Sequence, residues 1–156
     1  MKRESLRNFF KAYRVGFDLW AIVLFAIIML PNIIALCIPE FQAGLNTDTG
    51  ALEISATVFQ VLFVVLLVFI ERKGEQRLNF RSPLVSVCGL AVLAYYIAWI
   101  FFFCFFLNAA VYLSLAIFPS AAFLVFEVER KNWFAFVPTS VFAILHLVSS
   151  CIAFLI

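Results

Sequence analysis

Five apolar runs, at about 17–38, 52–70, 84–107, 109–126 and 133–155, leave this chain one solvent to fold in. Each is near the roughly 20 residues that an α-helix needs to cross a hydrocarbon core about 30 Å thick. Charged residues make up 13% of the 156-residue chain, whereas a soluble domain carries about a quarter to solvate its surface. The 21 phenylalanines would have nowhere to hide in water. In hydrocarbon a backbone must satisfy its polar groups within its own segment, so the runs predict helices. A membrane barrel would instead show segments of roughly 10 residues alternating polar and apolar. The third and fourth runs are separated only by Leu107-Asn108-Ala109. A single element over 84–126 is too long for one crossing, so a tight reversal is expected at Asn108.

The positions of the cations thread these spans. Lys2, Arg3, Arg7, Lys11 and Arg14 precede the first; Arg72, Lys73, Arg77 and Arg81 lie between the second and third; Arg130 and Lys131 lie between the fourth and fifth. All eleven fall on one side of a five-span path, and the other side carries Glu40, Asp48 and Glu53. Loops rich in Lys and Arg stay cytoplasmic. The expectation is an all-α integral membrane bundle of five transmembrane helices, with the amino terminus cytoplasmic and the carboxyl terminus outside. Residues 17–156 form its single transmembrane domain. Before it, residues 1–16 read as a basic amphipathic leader helix on the membrane surface: Leu6, Phe9, Phe10, Tyr13 and, just beyond, Phe17 recur at helical spacing, with the five cations at the other positions. The first span is too long for a signal peptide and no small-x-small cleavage site follows it, so it is expected to stay. Ile34-Ala35-Leu36-Cys37 fails as a lipoprotein box because bulky Leu36 stands where a small residue is required.

Few residues suggest chemistry. Asp48-Thr49-Gly50-Ala51 spells the aspartic-protease triplet, but those enzymes pair two aspartates on a β-fold. One copy in a loop between membrane helices reads as a polar turn. Cys37, Cys88, Cys104 and Cys151 lie on three spans without a C-x-x-C pair, which does not suit a zinc site. They read as packing residues, with a Cys37–Cys151 disulfide as the alternative in an oxidising exterior. No catalytic set, metal site, cofactor or nucleic-acid interface is expected. Glu127 and Glu129, beside Arg130 and Lys131, read as a solvated, self-neutralised turn.

Polar residues inside the spans say more. At about 1.5 Å rise per residue, Asn32, Gln60 and His146 fall within roughly 6 Å of the midplane. Ser114 and Ser120 lie at similar depth, and Tyr95 and Tyr96 mark the centre of the third span. Unpaired polar groups are costly in lipid, so these side chains are expected to face the bundle interior and find one another. Asn32, Gln60, Tyr95 and His146 are the candidate ligand-binding residues; the plainer reading is that they hold helices together. Pro31, Pro119 and Pro138 lie inside spans one, four and five, each followed by a small polar residue. Such prolines kink helices and free a carbonyl four residues back. The carbonyl freed at Pro31 belongs to Ile27, and the neighbouring Asn32 amide or a water is the expected donor.

Met29-Leu30-Pro31-Asn32-Ile33-Ile34, Leu113-Ser114-Leu115-Ala116-Ile117-Phe118-Pro119-Ser120 and Pro138-Thr139 with His146 beyond give the chain a resemblance. It resembles a group of small polytopic membrane proteins of Gram-positive bacteria that carry no established activity. Ala56-Thr57-Val58-Phe59-Gln60 departs from the glycine- and cysteine-containing second span of that group. The resemblance implies a bacterial cytoplasmic membrane and a topology, and no substrate. Three functions stay open. The first is a non-enzymatic protein binding a small or lipid-like ligand, or a membrane partner. The second is a small-solute transporter component acting as an oligomer, since five spans hold no inverted repeat. The third is a haem, redox or intramembrane enzyme subunit using His146.

Overall fold

A computed structural model describes residues 9, 11–41, 50–74, 78–106 and 108–155. Strand β1 (Tyr13–Val15) leads into helix α1 (Leu19–Leu36), followed by α2 (Ala51–Phe69), strand β2 (Ile70–Arg72), α3 (Pro83–Phe103), α4 (Ala109–Glu129) and α5 (Trp133–Leu155). All five helices are long and apolar enough to cross a membrane. The protein is a five-helix integral membrane bundle, and each helix begins and ends within a few residues of its expected span.

Each reversal has a local cause. At the end of α3, Phe105 takes a left-handed φ of 63°. The Phe105 amide then reaches the Phe102 carbonyl and the Phe106 amide the Phe101 carbonyl, a Schellman closure of the last turn. Asn108 caps α4, its side chain accepting from the Val111 amide at 3.0 Å, so the reversal falls where Asn108 placed it. The end of α4 repeats the device: Lys131 has φ 51°, and the Asn132 amide bonds the Glu127 carbonyl at 2.8 Å. Asn132 is at once the start of α5, accepting from the Ala135 amide at 3.2 Å. Asp18 caps α1 by accepting from the Trp20 and Ala21 amides, which supplies two donors the first turn otherwise lacks partners for.

Buried residues of α1 fall at Ala21, Leu24, Ile28, Pro31 and Ala35, a three-four alternation that makes one seam along the helix. Leu30, Ile33 and Ile34 on its other faces are exposed, as a lipid-facing surface should be. α3 packs along α4, α2 along α5 and α4 along α5, while α1 approaches α2 and α3 at few points. Phe63, Tyr95 and Phe102 are the largest apolar side chains wholly buried between the helices.

The end of the leader differs from its expectation. Residues 1–8 and 10 lie outside the described residues, but Tyr13–Val15 is a strand and no part of an amphipathic helix over 1–16. It pairs antiparallel with β2, Tyr13 opposite Arg72 and Val15 opposite Ile70. Helical spacing of the aromatics could not reveal this, because the partner strand lies 57 residues on and offers backbone bonds that no surface helix needs. Gly16 is required at the crossing: a Cβ there would overlap the Glu71 side chain. The loop triplet Asp48-Thr49 lies outside the described residues.

Candidate functional site

The four candidate residues line one cavity. Asn32 of α1, Gln60 of α2, Tyr95 of α3 and His146 of α5 face a space of about 420 Å³, within the range of small-molecule sites. Phe63, Phe123 and Phe142 bound it at mid-bundle, with Phe63 centred 5.1 Å from Phe123 and 5.3 Å from Phe142. From there it extends toward Glu53, Ser149 and Ser150, at the end of the bundle away from the cations.

The four do not all find one another. Asn32 donates one amide hydrogen to the Tyr95 hydroxyl at 2.6 Å and the other to the Ile28 carbonyl at 3.0 Å. Tyr95 in turn donates to the same Ile28 carbonyl at 3.0 Å. Gln60 makes no side-chain hydrogen bond among the described residues, and neither ring nitrogen of His146 does. His146 instead lies flat on Phe142, rings 5.3 Å apart and 12° from parallel. The Asn32 carbonyl oxygen likewise accepts from no described residue. Three polar groups on three helices therefore face the cavity with hydrogen-bonding capacity unused.

The prolines share a pattern that their sequence context hinted at. After each one, the polar side chain folds back on the carbonyl four residues before it: Asn32 on Ile28, Ser120 on Ala116 at 2.8 Å and Thr139 on Ala135 at 2.9 Å. The carbonyl freed at Pro31 was expected to take the Asn32 amide or a water. Instead Tyr96 reaches across from α3 and donates to Ile27 at 2.7 Å. The proline-bearing part of α1 is thus held by adjacent tyrosines of another helix. Ser114 serves only its own helix, donating to Ala110.

The turn after α4 is where the sequence misled. Glu127 is 0% exposed, and Arg130 is 6% exposed; neither belongs to a solvated turn. Arg130 ion-pairs with Asp18, its Nε and Nη2 each 2.6 Å from one carboxylate oxygen. Glu127 Oε1 meets the Thr139 hydroxyl at 2.5 Å, and Oε2 has no partner. Around them Asn132 donates to the Leu66 and Ile70 carbonyls at the end of α2. Ser82 donates to Glu129, Tyr13 to the Lys131 carbonyl, and Arg14 pairs with Glu71. The three basic segments thereby meet at one end of the bundle. A clue lay in the sequence: Glu127 follows Phe123 by four residues and Phe126 by one, on an otherwise apolar face.

The four cysteines are free thiols, with Cys88 buried and Cys37 and Cys104 exposed. Among the described residues no group of His, Cys, Asp and Glu is placed to hold a metal. Compared with protein families, curated proteins and solved structures, the chain matches none.

Proposed function

We propose that this is a multi-pass protein of the bacterial cytoplasmic membrane, amino terminus inside, that binds a small neutral or amphipathic molecule between its helices without transforming it. The observation that carries this reading is the convergence of Asn32, Gln60 and His146, with unused hydrogen-bonding capacity, on one cavity of about 420 Å³. Polar side chains facing the interior of a membrane bundle gain from a hydrogen-bonding partner, and three half-buried ones around one cavity suit a ligand with complementary donors and acceptors. The phenylalanines at its base suit an apolar portion of the same molecule.

Native mass spectrometry of the protein released from lipid nanodiscs tests the reading. The wild type is expected to carry a bound small molecule that Gln60→Leu and His146→Leu both lose while remaining folded. A wild type that emerges empty, or variants that retain the same adduct, would sink it. Transport is the second reading, and Glu127 is the observation that favours it.

A further inference from the structure

Glu127 lies on α4 one helical turn beyond Phe123, which bounds the cavity, and three residues before Arg130, which closes the basic end against Asp18. It is 0% exposed. Thr139, its one partner, follows Pro138 on α5 and sits seven residues before His146 of the cavity. A wholly buried carboxyl thus stands between a polar cavity and a closed ion pair, with the Phe63–Phe123–Phe142 cluster separating it from the former.

The hydrogens around it can be counted. The Thr139 hydroxyl has one proton and two acceptor neighbours, Ala135 O at 2.9 Å and Glu127 Oε1 at 2.5 Å. If Glu127 were ionised, that one proton would be its only donor, and Oε2 would remain a charged oxygen with no partner. Buried charges persist where they are paired and hydrogen-bonded. No pairing is on offer among the described residues. Arg130 places both Nε and Nη2 on Asp18. The segments of α1, α2 and α3 that run through the bundle, Leu19–Leu36, Ile54–Phe69 and Pro83–Phe103, contain no Asp, Glu, Lys or Arg. On α3 the Cys88 thiol turns to the Ala122 carbonyl at 3.4 Å, while Tyr95 and Tyr96 serve α1. On α5 the titratable groups are His146 in the cavity and Cys151 beyond it. At the basic end Glu71 is held by Arg14, and Glu129 takes the Ser82 hydroxyl. If Glu127 carries a proton on Oε1, it donates to Thr139, which donates to Ala135, and every hydrogen is placed; only a neutral carbonyl oxygen is left without a donor.

We propose that Glu127 is a proton-binding site, a carboxylic acid carried in its neutral form between the cavity and the Asp18–Arg130 pair. Ionisable groups facing the interior of a membrane bundle mark proton and ion paths. A carboxyl closed off on both sides can take or release its proton only when one closure parts, which is the requirement on a proton-coupled carrier. The inference does not depend on what the cavity holds.

Infrared spectroscopy of the protein in lipid bilayers at neutral pH tests it. The wild type is expected to show the C=O stretch of a protonated carboxylic acid, shifted by deuteration and by incorporation of carbonyl-labelled glutamate. Substitution and the glutamate label assign the band to Glu127. It is expected to vanish in Glu127→Gln, whose amide can donate to Thr139 as the acid does, and to move to higher frequency in Thr139→Val, where the acceptor is gone. A wild type with no acid band at neutral pH overturns the proposal without recourse to any variant. So does a band that survives Glu127→Gln or ignores the glutamate label.

Discussion

A proline inside a membrane helix strands the carbonyl four residues back, and at Pro31 that carbonyl is rescued by Tyr96. The adjacent Tyr95 joins Asn32 on Ile28, so two neighbouring hydroxyls of α3 address two neighbouring carbonyls of α1. A net hydrogen bond is worth about 0.5–1.5 kcal/mol, and one between membrane helices averages about 0.6 kcal/mol. Tyr96→Phe is therefore expected to lower stability by about 1 kcal/mol, and Tyr95→Phe by more because it also deprives the Asn32 amide of an acceptor. Equilibrium unfolding in mixed detergent micelles measures both; a Tyr96→Phe protein as stable as the wild type would mean the Ile27 carbonyl has another donor. Position along a span was legible at this scale: Asn32, Gln60, Tyr95 and His146 do share a cavity. Pairing was not. Depth follows from counting residues, whereas the direction a side chain takes around its helix depends on which neighbours surround it, and no residue count supplies that.

Helix ends carry most of the specific polar contacts. Asp18 closes the first turn of α1 and holds the arginine at the end of α4, while Asn132 starts α5 and takes up two carbonyls at the end of α2. These two residues tie four helices together. Breaking a buried pair by removing one partner costs about 3–5 kcal/mol, because the other charge stays buried and uncompensated. Asp18→Asn keeps an acceptor for the Trp20 and Ala21 amides but loses the ion pair. Asp18→Ala loses both, and is expected to be the less stable by about 1 kcal/mol, the worth of a cap. Comparing the two by chemical unfolding separates capping from pairing, and equal losses would show that the cap contributes nothing. Glu127 and Arg130 were misread as surface residues for a physical reason. A charge at the end of an apolar run reads as the place where water begins, unless another element is known to cover it. Arg130 is met by Asp18 at the start of α1, 112 residues away, and Glu127 by Thr139 of α5. Asn108 was legible because its role is local: an asparagine between two apolar runs caps the helix that follows.

At the level of the whole bundle, the five spans were readable from the apolar runs, and the structure gathers described residues of the three cation-bearing segments at one end. That arrangement predicts which thiols face which side. Cys37 and Cys104 end α1 and α3 at the opposite end and are exposed, whereas Cys88 is buried. A membrane-impermeant maleimide applied to intact cells is expected to label Cys37 and Cys104 and to spare Cys88. Labelling of Cys37 and Cys104 only in inverted vesicles would reverse the assigned orientation. The two-stranded ribbon lay beyond the reach of the sequence, since three residues, Tyr13-Arg14-Val15, carry no pattern distinguishable from the edge of a helix.

The Asp18–Arg130 pair also sets an order in time. Asp18 belongs to the first span to be made, and its partner is synthesised 112 residues later, after four spans are complete. Until then the carboxylate has only its own helix to serve, and β1 must wait for β2, which follows α2. The Asp18 carboxylate is therefore tied to a second helix only when α4 is complete. The first helix can thus bond α3 through Tyr95 and Tyr96 before Asp18 has Arg130 to hold, and its polar fastening proceeds from mid-span toward the basic end.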